Sequence, residues 1–266
     1  VAERSLSRRL WGFLPVYRRE LMQYIQSPGT YVALGFFFIL SGAFFLLIVG
    51  DFVETSRKVA QGTPLPETEV ALNVTLRVVG QLFSALNFLM LLVIPILTMR
   101  LLAEEKRSGS FELLVTTPLS DLEILVGKYL AVLTVGLAIL LVCTVYPAIL
   151  AIYSAPEAPV VLTCYLGLFL IIAAYSAFGL FASSLTDSQI SAAVLSFVGL
   201  LIFQMAHFLF KSGAPGRVAA ALSIYHHSDP FTKGIVALPD VAYFLLFAVF
   251  FLFLTGQVLD ARRWRV

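Results

Sequence analysis

Reactive chemistry in this 266-residue chain would have to come from three histidines, two cysteines and sixteen acidic residues. His226 and His227, with Asp229 close behind, are the nearest approach to a metal-ligand set. Adjacent histidines point in different directions on most backbones, and no third nitrogen or sulfur ligand is near in sequence, so no metal is expected. Cys143 and Cys164 also lack ligand spacing. They read as small residues of an apolar interior, with a disulfide between them as the alternative if both lie on an oxidising side. There is no G-x-S-x-G, no H-E-x-x-H and no carboxylate pair inside an apolar run, so the chain is not expected to be an enzyme. It also lacks G-x-x-x-x-G-K-[ST]. Gly127-Lys128 has no upstream glycine, so no nucleotide or other cofactor is expected on this chain itself.

The remaining polar groups of interest sit inside apolar stretches. Gln81, Ser84 and Asn87 recur every three residues on one side of a helix, where they either line a polar route or hold helices together. Gln204 and His207 suit a helix-packing hydrogen bond. Gly35 and Gly42, and Gly179 with Ser183, permit close helix approach, whereas Pro95 and Pro147 should kink their helices.

The elements that must position these groups follow from composition. The chain is 59% hydrophobic and 13% charged, against about 45–50% and about 25% in soluble domains. Such a chain needs an apolar solvent. Its apolar residues form six blocks, near Thr30–Gly50, Val78–Leu102, Ile124–Ile152, Val160–Ala182, Ile190–Phe210 and Val241–Leu259. Each is long enough to span a bilayer as a helix, and none has the strict alternation of a barrel strand. Every backbone polar group must be satisfied within lipid, which favours helix. The expected fold is an all-α integral membrane domain with six spans. A net charge of +2 and the absence of any basic patch interleaved with aromatics exclude nucleic acid as a partner.

Twelve of the eighteen Lys and Arg residues lie before the first span, around the junction of the second and third, or in the tail. The positive-inside rule then places both termini in the cytoplasm. The first 29 residues contain five arginines and no h-region, so no cleavable signal peptide is expected. Pro15 suits a first helical turn. Tyr17, Leu21, Tyr24 and Ile25 then recur at helical spacing, with Arg18, Arg19, Gln23 and Gln26 on other faces. This is the pattern of an amphipathic helix at the inner membrane surface, the alternative being a solvated basic arm. Ser27-Pro28-Gly29 ends it. The polar stretch Asp51–Arg77 reads as an outer loop.

The most informative stretch runs from Glu104 to Asp121, between the second and third spans. Gly109 permits a turn, Ser110 can cap a short helix, and Phe111–Val115 supply an apolar ridge with Glu112 inserted. Thr117-Pro118 stops that helix, and Ser120 with Glu123 has capping-box spacing for the third span. A short helix here could take a push from a soluble partner and pass it to two long helices. A plain connecting loop would carry the same caps.

Here the sequence resembles a known family. Glu105-Lys106-Arg107-Ser108-Gly109-Ser110-Phe111-Glu112-Leu113-Leu114, then Thr117-Pro118-Leu119-Ser120 and Gly127-Lys128, is similar to the E-x-x-x-G-T-x-E-x-L-L-x-x-P-x-S…G-K signature of ABC-2 type transporter permeases. It departs at Ser110, where Thr is commoner. Tyr225 to Val236, Leu238-Pro239-Asp240-Val241 and Asp260-Ala261-Arg262-Arg263-Trp264 resemble the gliding-motility-associated GldF branch, which usually has F-x-x-F-x-x-G-I/V in this region where this chain has His227 and Phe231.

The resemblance implies a permease subunit that pairs with a second copy, identical or not, and docks a separate ATPase subunit. That partner would hold the ATP and Mg2+. Glu104, Glu105, Arg107, Gly109, Ser110, Phe111, Glu112, Leu113, Leu114, Thr117 and Pro118 would form the coupling segment in the ATPase cleft. Tyr17, Arg18, Arg19 and Leu21 of the interfacial helix would also touch the ATPase. The stretch Gly213–Asp240 would make short re-entrant helices at the outer face, with Asp229 as a cap, Pro230 as a first helical residue and Gly234 as a stop. An accessory extracytoplasmic subunit of the gliding-motility type is a further implied partner. The expected location is the inner membrane of a prokaryote. A second class of function stays open at this point, in which the complex works mechanically on an outer partner and transports nothing.

Overall fold

A computed structural model describes residues 12–61, 74–107, 120–209 and 213–263. Among these the secondary structure is entirely helical. An opening helix, α1 (Phe13–Gln26), is followed by α2 (Pro28–Ala60). A π-helical turn (Thr75–Val79) leads into α3 (Gly80–Thr98), and α4 (Arg100–Arg107) continues it. Then come α5 (Asp121–Cys143), α6 (Val145–Tyr153), α7 (Ala158–Leu185), α8 (Gln189–Leu209), α9 (Gly213–Leu222), α10 (Ile224–Thr232) and α11 (Leu238–Arg263). Six helical stretches are long and apolar enough to cross a membrane: Pro28–Ala60, Thr75–Arg107, Asp121–Tyr153, Ala158–Leu185, Gln189–Phe208 and Leu238–Ala261. Consecutive spans alternate in direction, so α1, α4, the start of α5 and the end of α11 gather at one end of the bundle. The end of α2, α9 and α10 lie at the other.

Five of the six spans are longer than their apolar blocks. The first continues as helix through Asp51–Ala60, part of the stretch expected to be loop, with Glu54 and Lys58 paired at i,i+4. Such a pair supports an exposed helical end. At the other end of the helix, Ser27 is extended because Pro28 disfavours the helical region before it, and Pro28 then opens α2.

The core is organised around α7. It packs along α11, α3, α8 and α5, and every residue from Leu170 to Leu180 is buried. Missing side chains permit this closeness. A Cβ at Gly179 would lie 2.1 Å from Thr98 Oγ1, one at Gly136 2.5 Å from Ile172, and one at Gly199 2.4 Å from Phe178. Phe178, Phe203, Phe247 and Phe251 then fill the space between α7, α8 and α11, with ring centroids 4.7–6.4 Å apart. In contrast, α2 packs along α3 and shares no extended contact with α5. The first and third spans are bridged instead by Tyr146 of α6, whose hydroxyl lies 2.6 Å from Ser41 Oγ.

The expected proline kinks are realised unequally. Pro147 offers no N–H to the Cys143 carbonyl, and the third span is interrupted there, between α5 and α6. Helix α3 runs through Pro95 and is interrupted only at Met99. Cys143 and Cys164 are both buried free thiols, so no disulfide joins them.

Candidate functional site

At the end of the bundle that carries α1, the polar chemistry centres on Lys128. This residue is 1% exposed, inside α5 and not in the connection before it. Its three N–H bonds have three acceptors: Glu20 Oε1 at 2.7 Å, the Leu101 carbonyl at 2.7 Å and Glu105 Oε1 at 2.8 Å. Arg19 donates to the same Glu105 oxygen at 2.8 Å. The cluster therefore joins α1, α4 and α5 and balances two carboxylates with two cations. Gly127 makes the approach possible, because a Cβ there would stand 2.9 Å from both the Phe13 carbonyl oxygen and Val16 Cβ. The Gly-Lys pair thus has a physical division of labour: the glycine admits the backbone of α1, and the lysine holds its carboxylate.

The buried face of α1 is Val16, Glu20 and Tyr24, one helical turn apart. It is centred between the residues expected from spacing. Tyr17 is half-buried, with its hydroxyl 3.1 Å from Thr134 Oγ1, and Leu21 is half-buried too. Arg18 and Ile25 are exposed, so Ile25 does not belong to the packed face. Tyr24 donates to the Leu97 carbonyl at 2.7 Å, and burial raises its phenol well above the usual range, with the Glu20 charge adding to the effect and Arg100 opposing it. Arg100 stands 5.4 Å over the Tyr24 ring and donates to Ser27 Oγ at 2.6 Å and Thr30 Oγ1 at 2.7 Å.

Helix α4 begins at a break bridged by another helix. Ser183 Oγ, on α7, accepts from the Leu102 and Ala103 N–H groups at 3.1 Å each and donates to the Met99 carbonyl at 2.9 Å. A hydroxyl supplied from across the interface thus does the work of an N-cap. Lys106 donates to the Ser184 carbonyl. Glu104 and Arg107 are exposed on α4, while Glu105 is buried in the ion cluster. The other coupling candidates, Gly109, Ser110, Phe111, Glu112, Leu113, Leu114, Thr117 and Pro118, lie outside the described residues. Immediately after them, Ser120 opens α5 with the expected capping box: Ser120 Oγ accepts from the Glu123 N–H at 3.4 Å, and Glu123 Oε2 accepts from the Ser120 N–H at 2.7 Å.

The opposite end holds a second polar group. Tyr175 directs its hydroxyl to the side-chain oxygens of Asn87 at 3.0 Å and Gln204 at 2.9 Å, and Asn87 donates to Ser228 Oγ at 3.4 Å. Asn87 and Ser84 border a cavity of about 220 Å³ between α3, α7, α8 and α10. Ser84 donates back to the Gly80 carbonyl at 3.0 Å, and Gln81 is exposed away from this cavity. Sequence spacing thus groups three residues, of which two share the cavity.

The α9–α10 pair occupies the stretch expected to form short helices, with different caps. Ser223, not Asp229, is the N-cap of α10, accepting from the His226 N–H at 3.3 Å. Asp229 and Pro230 lie inside α10, with Asp229 paired to Lys233. Gly234 does stop the helix. Its φ of +80° favours glycine, and its N–H donates to the Phe231 carbonyl while the Ile235 N–H donates to that of Pro230. Phe231 seats on α7 where Gly167 leaves room, because a Cβ there would be 2.8 Å from the Phe231 ring. His227 lies 2.7 Å from Asp240 and stacks on Tyr243 at 4.1 Å, and His226 stacks on His207 at 5.5 Å.

Two of the most consequential residues, Glu20 and Ser183, carry little signal alone. Glu20 does recur one turn from Val16 and Tyr24, and a carboxylate on that stripe could have marked a buried cation opposite. A family model described as "ABC-2 family transporter protein" matches residues 50–256. No curated protein matches the chain.

Proposed function

This chain belongs to the ABC-2 family of transporter proteins, and from that premise we propose that it is the membrane-spanning permease subunit of a pump driven by a separate ATPase. Membership makes it a multi-pass, non-catalytic transporter subunit. The proposal adds that ATP and Mg2+ are held by the partner, that two permease copies pair, and that both termini face the cytoplasm of a prokaryotic inner membrane. The GldF-like resemblance adds a branch, with an accessory extracytoplasmic subunit.

The observation that carries the reading is the three-helix unit at the α1 end. Residues 108–119 connect α4 to α5, and Lys128, Glu20, Glu105 and Arg19 tie α4 and α5 to each other and to α1. A force applied to the 108–119 segment would be shared by all three helices. The Met99 break would let α4 change angle relative to α3, since a short helical interruption is a common place for such bending. This is the arrangement a motor docked on that end would need.

Copurification tests the reading. A nucleotide-hydrolysing partner should remain with the intact permease. Glycine at Leu113 and Leu114, or charge reversal at Glu104, should release it or uncouple its ATPase activity. Retention of the partner with unchanged ATPase activity would count against the coupling role. ATP-dependent flux in vesicles supports transport, whereas ATPase stimulation by an outer protein without flux supports the mechanical alternative.

A further inference from the structure

The α2–α5 gap is a built feature. Its walls are Leu34 and Phe38 on α2 and Val135, Ala138 and Val142 on α5, and together they line an almost wholly apolar crevice of about 380 Å³. The Tyr146–Ser41 bridge and the ring of Phe45, 5.1 Å from that of Tyr146, join the same two spans further along. Leu21 and Ile25 of α1 line the end nearest the ion cluster.

Beyond that end lies a polar cavity of about 210 Å³, and Tyr24 lines both spaces. Its cations are Arg19, Arg100 and Lys128, and its carboxylates are Glu20, Glu104 and Glu105. Glu104, exposed and one turn along α4 from Arg100, makes no ion pair with it. Lys128 and Arg19 are matched by Glu20 and Glu105. Arg100 differs. Its bonded partners are two neutral hydroxyls and an aromatic face, and among the described residues no carboxylate pairs with it. A guanidinium so placed favours a phosphate oxygen.

From this juxtaposition we propose that the crevice between α2 and α5 binds one acyl chain of an anionic membrane phospholipid, with its phosphate at Arg100. The apolar space alone would accept any hydrocarbon. The Arg100 guanidinium at its end, held by hydroxyls and touched by no carboxylate, selects a lipid with a negative headgroup. Both walls belong to membrane-spanning helices, so the ligand can enter sideways from the bilayer and need not cross water. Held there, the lipid would touch α1, α2 and α5 together.

The full chain would be reconstituted in vesicles of phosphatidylcholine with a minor fraction of phosphatidylglycerol bearing a diazirine near the end of one acyl chain. After illumination, labelled residues are mapped by mass spectrometry. Labelling is expected to concentrate on Leu34, Phe38, Ala138 and Val142, and to be competed by unlabelled phosphatidylglycerol much better than by phosphatidylcholine. Ala138→Phe should lower crevice labelling several-fold and leave labelling of Leu246 and Val249, exposed on α11, unchanged. Arg100→Gln should remove the headgroup preference. Should that variant fail to fold, headgroup competition on the unmodified chain decides the charge argument. Uniform labelling around all spans would overturn the proposal. So would an unlabelled crevice whose walls cross-link, through introduced cysteines, to a second copy of the chain.

Discussion

Replacing Lys128 with methionine tests whether the ion cluster is what fixes α1 to the bundle. The substitution keeps an unbranched side chain but removes all three hydrogen bonds from Nζ. It leaves the carboxylates of Glu20 and Glu105, whose side chains are 4% and 8% exposed. Arg19 remains on Glu105, so Glu20 bears most of the loss. Breaking a buried pair by removing one partner costs about 3–5 kcal/mol, because the surviving charge stays desolvated. Adding Glu20→Gln to the Lys128→Met chain should return part of this, about 1–3 kcal/mol, since the two residues are in direct contact. Equilibrium unfolding in mixed micelles of rising SDS fraction, followed by circular dichroism, would measure both values. Trypsin cleavage at Arg18 and Arg19 would report separately on undocking of α1. The reasoning is refuted if Glu20→Gln costs the same in both backgrounds, or if Lys128→Met leaves both stability and protease resistance unchanged.

Ser183→Ala removes the hydroxyl that serves Leu102, Ala103 and Met99, and should cost about 1–3 kcal/mol in the same unfolding assay. Hydrogen exchange should show the loss concentrated at the N-terminal turn of α4. Gly234→Ala places a Cβ at φ +80° and 2.9 Å from Val160, so it should destabilise by about 1–2 kcal/mol or more, read as a lower unfolding midpoint and faster proteolysis after Lys233. Burial raises the Tyr24 phenol above its unfolded value of 10.0, so its contribution is complete below that pH and declines as pH rises and the unfolded chain ionises first. Tyr24→Phe should therefore flatten the alkaline fall in stability by up to about 1.4 kcal/mol per pH unit, checked by unfolding between pH 9 and about 11.

The six spans were legible because lipid imposes a minimum apolar length that few other folds share. Their ends were less legible, because helices continue past the apolar region once polar pairs such as Glu54–Lys58 support them. The α5 start could be read to the residue, since Ser120 and Glu123 act within one turn. The ion cluster could not. Glu20 and Lys128 are 108 positions apart, and a lysine near the start of a span looks like an ordinary topology signal. Ser183 reads as a small packing residue, and only the presence of α3–α4 across the interface makes it a cap. Asp229 and Pro230 misled for a local reason. Both have start-of-helix chemistry, but Ser223 stands nearly two turns earlier, and a helix already under way absorbs them.

Gly127 also restricts how α1 can travel. Along α5 the gap it leaves is bounded by the residues one turn away on the same face, Ile124 and Ala131, so sliding α1 along α5 would carry the backbone around Phe13 toward a side chain. Longitudinal slippage is thereby resisted, and rotation of the pair together is the less hindered motion. Any stroke delivered at this end would reach the bilayer as a tilt, undiminished by play between the two helices.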